Sequence, residues 1–168
     1  MKTAIRKEMT IQTEVMDLLN QQIALEMHAS ATYLAMASWC DQRDYTNSKT
    51  FFYNQAEEER AHGMKIFNFV NTTGGAAISP SIPTVNNDFE SLTQIFEASL
   101  EQEIKVTESI YKCFKAARNT GDYASEVFLQ WFVTEQVEEE DTLRSILGMI
   151  DLMGDMPLKM IDERIPTE

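Results

Sequence analysis

Glycine and proline, the residues that most often interrupt helices, are scarce in this sequence. Its 168 residues include six glycines and four prolines. Because both residue types destabilise helix interiors, their scarcity leaves room for long helices. The sequence also lacks an unbroken run of about 18 apolar residues, so no transmembrane helix is expected. No apolar stretch follows the basic residues among positions 1–8, so no signal peptide is expected either.

Cysteines and basic side chains are also few. Cys40 and Cys113 are isolated and have no CxxC spacing, which is typical of a reducing compartment, so the expected location is cytoplasmic. Lysine and arginine number 14 against 27 aspartates and glutamates, a net charge of −13, so nucleic acid is not an expected partner. Such acidity is usually only a solvated surface, but it is also compatible with attracting cations. The positions of the acids must decide between the two readings.

Apolar residues at helical spacing are abundant and fall into four long segments. The segments cover about 10–40, 46–73, 88–118 and 122–152, and Asp88 is the expected N-cap of the third. Each has roughly 28–31 residues, or about 42–46 Å of helix. Hydrophobic residues make up 43% of the chain, enough for a globular core. We therefore predict an all-α four-helix bundle over about 10–152, within a single domain of residues 1–168.

The three connections between these segments differ in length. Residues 41–45 and 119–121 are short links, which favour antiparallel neighbours. The middle link, residues 74–87, contains Gly74, Gly75, Pro80 and Pro83 and no helical pattern. Fourteen extended residues reach about 46–50 Å, the full length of the bundle, so a long crossover between helices 2 and 3 is predicted. A short fifth helix is expected at about 157–165.

Acidic residues interrupt the apolar stripe that each segment should turn toward the core. The predicted inward stripe of the fourth segment is Phe128, Phe132, Glu135, Glu139, Thr142, Ile146 and Met149, in alternating steps of three and four. The other three stripes carry Glu26, Glu59 with His62, and Glu103. All of these acids lie near the midpoints of their helices. Since midpoints share one layer in a bundle of equal helices, five carboxylates and one imidazole are expected to converge there.

A layer of buried carboxylates needs compensation, because each unpaired ion costs several kcal/mol. The stripes supply no lysine or arginine, and protonation would remove only part of the charge. Bound divalent metal removes it more completely, and oxygen ligands with one imidazole suit iron or manganese. Glu59 and His62 also form a Glu-x-x-His motif. This motif is weak by itself, but four aligned helices make it specific.

Three further side chains near the layer are open to more than one reading. Tyr33 lies two turns from Glu26 on the same stripe, where it would serve either as core packing or as a donor of a hydrogen bond or an electron. His28 lies on another face of the first helix and is expected to be a surface or interface histidine. Trp131 is expected to be a packing residue.

Several stretches closely resemble the bacterial non-haem ferritins, and the resemblance extends over nearly the whole chain to about Gly154. They are residues 24–30 with Tyr33, residues 57–62, Glu103, and residues 128–140, the last being the most specific. The resemblance implies a ferroxidase that oxidises Fe(II) with O2 or hydrogen peroxide. It further implies iron storage and detoxification, with ferric mineral deposited inside a hollow homo-oligomer of about 24 subunits.

The same resemblance implies roles for individual residues. Glu26, Glu59 and His62 would hold a first iron. Glu59 would bridge to a second iron held by Glu103 and Glu139, with Gln136 beside the pair and Tyr33 as auxiliary electron donor. A third iron is implied at Glu58, Glu135, Glu138 and Glu139. Glu58 and Glu138 fall beside the inward stripe, so their role rests on the resemblance.

Related families differ at identifiable positions. Bacterioferritin has a second Glu-x-x-His on its fourth helix, whereas here Glu135 is followed three places later by Glu138, and Glu139 by Thr142. Arg60 stands where the haem-ligating methionine of that family follows the bridging glutamate, so no haem is expected. Rubrerythrin-like peroxidases carry a CxxC iron module, which is absent, and mini-ferritins bind metal between subunits. A storage shell with a weak or vestigial oxidation centre stays open, and fast oxidation of added Fe(II) would separate it from a ferroxidase.

Overall fold

The computed structural model describes residues 8–167 of the chain, and over this range it contains five helices and no strand. They are α1 (Thr13–Asp41), α2 (Thr46–Thr72), α3 (Leu92–Thr120), α4 (Tyr123–Met153) and α5 (Leu158–Asp162). Helices α1 and α2 pack as one pair and α3 and α4 as another, which confirms the predicted four-helix bundle. No helix within residues 8–167 combines the length and apolarity needed to cross a membrane. Most of the basic start considered for a signal peptide, residues 1–7, lies outside the described range.

The crossover between α2 and α3 runs along α1, as its length predicted. Near its start, Asn20 of α1 donates to the carbonyl of Ala76 at 3.0 Å and accepts from the amide of Ile78 at 2.8 Å. Near its end, the indole of Trp39 donates to the carbonyl of Phe89 at 3.1 Å. Asn20 and Trp39 are 19 residues apart on one helix, which corresponds to roughly 28 Å. The crossover therefore spans most of the bundle.

Three helix boundaries differ from the sequence-based expectations. Asp88 is not the N-cap of α3. The N-cap is Ser91, whose hydroxyl accepts from the backbone amide of Gln94 at 3.1 Å, and the helix begins at Leu92. Both residue types make good caps, and burial of Phe89 delays the helix start. At the N-terminus of α1, the amide of Thr10 is bonded to the Thr73 carbonyl at 2.8 Å, which leaves Thr10 outside the helix. Helix α5 is also shorter than expected, at five residues.

Two hydrophobic clusters fill the bundle, and each long helix passes from one to the other through a short polar stretch. One cluster includes Tyr33, Phe52, Phe96 and Ile146, and the other includes Ile23, Ile66, Val106 and Phe132. The polar residues buried between them are Glu26, Ser30, Gln55, Glu59, His62, Ser99, Glu103, Gln136 and Glu139. The clusters fix the helices on both sides of this layer, so its side chains are held by a rigid frame.

The inward stripe predicted for α4 is wrong at alternate positions. The buried residues are Ser125, Leu129, Phe132, Gln136, Glu139, Leu143, Ile146 and Ile150. Thr142 is exposed, and Phe128, Glu135 and Met149 are only half-buried. The predicted stripe and the observed stripe both advance in steps of three and four and share Phe132, Glu139 and Ile146. Both also contain apolar residues, so the sequence does not distinguish them, and the packing of α4 against α3 decides which one is buried. As a result Gln136, rather than Glu135, points into the layer.

Candidate metal centre

The buried layer brings together side chains from all four long helices. Glu26 of α1, Glu59 of α2 and Glu103 of α3 have no exposed surface, His62 of α2 is 3% exposed, and Glu139 of α4 is 8% exposed. No lysine or arginine lies among the buried residues of the described range. The charge of these carboxylates is therefore not balanced by a protein cation within the layer.

Glu26, Glu59 and His62 form the tightest group in the layer. One ligand atom from each residue lies within 4.8 Å of the others. One oxygen of Glu26 accepts from the side-chain amide of Gln22 at 2.8 Å. The other Glu26 oxygen, both Glu59 oxygens and Nδ1 of His62 have no hydrogen-bond partner among the described residues. Because buried polar atoms in native proteins are nearly always bonded, this cluster of unpartnered atoms indicates a site for a cation.

Glu103 and Glu139 lie outside this close group, and neutral donors hold them. The Tyr33 hydroxyl donates to one oxygen of Glu103 at 2.5 Å, and the side-chain amide of Gln136 donates to the other at 3.1 Å. The side-chain amide of Gln55 donates to Glu139 at 2.8 Å. These bonds orient the two carboxylates without neutralising them, so their need for a positive partner persists. Gln22 and Gln55 were not predicted as site residues, although each lies on an inward stripe.

Burial raises the pKa of every carboxyl in the layer. For Glu26 the neighbouring charge of Glu59 adds to the effect of burial on the pKa, and for Glu59 the charge of Glu103 adds to it. Burial also raises the pKa of Glu103, while its bonds from Tyr33 and Gln136 act in the opposite direction. The pKa of Glu139 rises to about 8, through burial first and then the charge of Glu103. Without metal, the layer therefore retains protons at neutral pH, and a bound cation would displace them.

Tyr33 joins the layer to the adjacent hydrophobic cluster. Its ring is fully buried and stacks on Phe52 at a centroid distance of 6.0 Å, while its hydroxyl reaches Glu103. Burial, followed by the charge of Glu103, raises the pKa of the phenol. The packing and hydrogen-bonding roles considered from the sequence therefore occur together in one side chain.

An acidic cleft of about 200 Å³ opens next to the layer. Glu58, Glu135, Glu138 and Glu139 all line it. Glu58 and Glu138 are exposed, Glu135 is half-buried, and Glu139 belongs to both the cleft and the layer. Ligand atoms of Glu58, His62 and Glu135 form a second group within 4.8 Å. His62 therefore belongs to both groups, and it lies where the layer meets the cleft.

Trp131 packs against the candidate ligand His62, whereas His28 lies elsewhere. The Trp131 and His62 rings meet edge to face at 5.4 Å, and the Lys65 ammonium lies 3.1 Å from the centroid of the indole. His28 is half-buried and lines a separate pocket with Glu101 and Lys105. The structure thus brings all the predicted ligands to the layer or the cleft, and it leaves His28 outside both.

Comparisons of the sequence with a family model and with known proteins agree with one another. Residues 16–153 match the family model described as a ferritin-like domain. The bacterial non-heme ferritin of Staphylococcus epidermidis is 40% identical over 142 residues, which cover 84% of this chain and 86% of that protein. The bacterial non-heme ferritin of Staphylococcus aureus is 39% identical over 141 residues, which cover 84% and 85%.

Solved structures give the same result. The open pore ferritin of the archaeon Archaeoglobus fulgidus superposes with a TM-score of 0.89 at 32% identity, covering 92% of this chain and 97% of the other. A humanized archaeal ferritin superposes with a TM-score of 0.88 at 33% identity, covering 92% and 96%.

Proposed function

We propose that this chain, which belongs to the ferritin family, stores iron and oxidises Fe(II) in the buried carboxylate layer. The observation that carries this proposal is the set of unpartnered buried atoms on Glu26, Glu59 and His62. Glu103 and Glu139 reach the same layer from the other two long helices. A role in stabilising the core does not explain these residues, since buried carboxylates without cations destabilise a fold.

We assign two iron ions to the layer. Glu26, Glu59 and His62 bind the first, and Glu59, Glu103 and Glu139 bind the second, so Glu59 bridges them. Gln136 holds Glu103 through a hydrogen bond of 3.1 Å and acts on the second iron through that ligand. We assign a third iron to the cleft, at Glu58, Glu135, Glu138 and Glu139. Haem is not part of the proposal, because Arg60 is exposed and paired with Glu57.

Iron is the substrate in the proposed reaction. Each of two Fe(II) ions gives up one electron, and O2 takes up both electrons and two protons to become hydrogen peroxide. Where hydrogen peroxide is the oxidant, the two electrons break its O–O bond, and two protons complete two water molecules. Carboxylate ligands tolerate changes in coordination, and with a single imidazole among them we expect the site to hold iron loosely. We propose that ferric iron leaves through the acidic cleft, because Glu139 lines the cleft and also belongs to the layer.

We further propose that copies of the chain assemble into a cytoplasmic shell of about 24 subunits, with ferric mineral inside. Helix α4 supports assembly, because it exposes Tyr123, Val127 and Val137 at 75%, 67% and 60%. Exposed apolar side chains grouped along one helix are typical of surfaces that another protein covers. The size of the assembly is implied by the family.

Stopped-flow absorbance of the metal-free protein tests the enzymatic part. We expect aerobic Fe(II) additions to give a fast ferric phase that saturates near about two Fe(II) per chain, as for a two-metal site. His28→Ala is the matched control for His62→Ala, since His28 lies outside both acidic groups. The control should keep the fast phase and His62→Ala should lose it. If the unaltered chain oxidised Fe(II) no faster than buffer does, the ferroxidase proposal would be wrong and only the storage role would stand.

Tyr33→Phe tests the hydrogen bond to Glu103. Loss of the phenol hydroxyl leaves a buried carboxylate oxygen without its donor, so we expect the free energy of unfolding of the metal-free protein to fall by about 1–2 kcal/mol. Urea unfolding measures this change. The fast iron phase should still saturate at the same number of ions, because Tyr33 is not an assigned ligand. An unchanged free energy of unfolding would contradict the role of this bond.

A further inference from the structure

Residues 158–167, here called the docked segment, are anchored to the start of α2. Both carboxylate oxygens of Asp162 accept hydrogen bonds. One accepts from the Ser48 backbone amide at 2.9 Å and from the Ser48 hydroxyl at 2.6 Å. The other accepts from the Asn47 backbone amide at 3.1 Å. Asp162 is only 4% exposed. The N-cap residue of α2, Tyr45, makes no side-chain cap bond, so Asp162 supplies the acceptors that free helix amides require.

Apolar contacts reinforce this anchor. Ile161 and Ile165 are each 2% exposed and belong to the hydrophobic cluster that contains Phe51 and Phe52. Burial of two isoleucines stabilises docking in addition to the hydrogen bonds of Asp162. The docked segment is therefore part of the folded bundle and has a defined position on α2.

Beyond Ile165 the chain follows α2 toward the acidic cleft. The Asn47 side-chain amide donates to the Ile165 carbonyl at 3.1 Å, and the Asn54 side-chain amide donates to the Thr167 carbonyl at 3.0 Å. Asn47 and Asn54 lie seven residues apart on one face of α2, about two helical turns. Glu58, the next residue of that face, lines the cleft, and Thr167 lines it as well.

From this placement we propose that the docked segment, through Thr167, forms part of the wall of the acidic cleft and limits how fast metal passes between the cleft and the buried layer. The proposal rests on the proposed function in one respect, namely that the layer binds metal. Glu139 connects the cleft to the layer, and the hydrophobic clusters close the layer toward both ends of the bundle. The hydrogen bond from the Asn54 side chain holds Thr167 at the cleft.

Zinc release tests this proposal without requiring iron oxidation. Metal-free protein is loaded with Zn(II), mixed with an excess of a chromophoric chelator, and followed by stopped flow. Asn54→Ala removes the bond to Thr167 and leaves the Asp162 anchor intact. We expect zinc release about fivefold faster than in the unaltered chain, the population change that follows from losing one net hydrogen bond. The amount of zinc bound should not change.

Asn68→Ala is the matched control, because Asn68 is exposed on the same helix and lies outside the lining of the cleft. It should release zinc at the unaltered rate. Asn54 itself lines the cleft, so Asp162→Asn, which loosens the docked segment without changing that lining, should release zinc at least as fast as Asn54→Ala. Equal or slower release from Asn54→Ala would overturn the proposal, as would failure of the chain to bind zinc. Slow iron oxidation together with accelerated zinc release would sink the ferroxidase assignment and leave the role of the docked segment standing.

Discussion

Fe(II) oxidation by the Glu59→Gln variant should lack its fast phase, with a rate at least about 100-fold lower, because even residues that only orient metal ligands commonly contribute 10–100-fold. Both Glu59 oxygens are buried and have no hydrogen-bond partner within residues 8–167. Glu59 groups with Glu26 and His62, and the charges of Glu103 and Glu139 act on it. Glutamine keeps the shape of glutamate, so the bundle should fold. It replaces an anionic ligand by a neutral amide, and both proposed iron positions lose a ligand.

Glu57→Gln is the control for this substitution, since Glu57 is exposed on the same helix and pairs with Arg60 at 3.5 Å. Stopped-flow absorbance after addition of about two Fe(II) per chain measures the fast phase in both variants. Size-exclusion chromatography should show that both assemble as the unaltered chain does. A normal fast phase in a correctly assembled Glu59→Gln variant would mean that the bridging assignment is wrong.

The stability of the metal-free protein should fall as the pH rises from about 5 to about 8. The carboxyl pKa values in the layer are raised in the folded state, so over this range the folded chain binds more protons than the unfolded chain. The free energy of unfolding therefore decreases with pH, and the loss is complete above the folded pKa values. For Glu139 alone, a rise in pKa from 4.5 to about 8 corresponds to a loss on the order of 5 kcal/mol over the whole titration, and the window from about pH 5 to about pH 8 contains most of it.

Urea unfolding at the two pH values measures this loss, and Glu139→Gln identifies its source. The amide does not titrate and can still accept the bond from Gln55, so this variant should lose markedly less stability with pH. Glu138→Gln removes the same charge from an exposed neighbour and should keep the full pH dependence. Saturating zinc should reduce the loss in the unaltered chain, because metal binding replaces the displaced protons. A pH dependence identical in Glu139→Gln and Glu138→Gln would contradict this account.

The sequence alone determined the four helices, the crossover and most of the acids of the layer. Helical periodicity assigned Glu26, Glu59, His62 and Glu103 to inward stripes, and their common height followed from the near-equal lengths of the helices. These properties are local, since each depends on the order of residues within one segment. Glu139 was assigned correctly as well, because it belongs to both patterns that the fourth segment allows.

The choice between those two patterns required the tertiary structure. Glu135 and Gln136 are adjacent, and each fits a three-four stripe with Phe132 and Glu139, so only packing against α3 could turn Gln136 inward. The start of α3 at Leu92 was decided in the same way, since Ser91 and Asp88 are equally good caps until burial of Phe89 fixes the chain.

The interactions that hold the site and the docked segment were also decided by tertiary structure. Within the site, Tyr33 bonds to Glu103 across 70 residues and Gln55 to Glu139 across 84, and the docked segment is held by the bond of Ser48 to Asp162 across 114. A periodic pattern reports which face of a helix is buried, but it carries no information on which side chain of another helix lies opposite. The sequence therefore determined that Glu26, Glu59, Glu103 and Glu139 are buried. The packing of the helices excluded Glu135 from the layer and decided which carboxylate oxygens are bonded and which are left for metal.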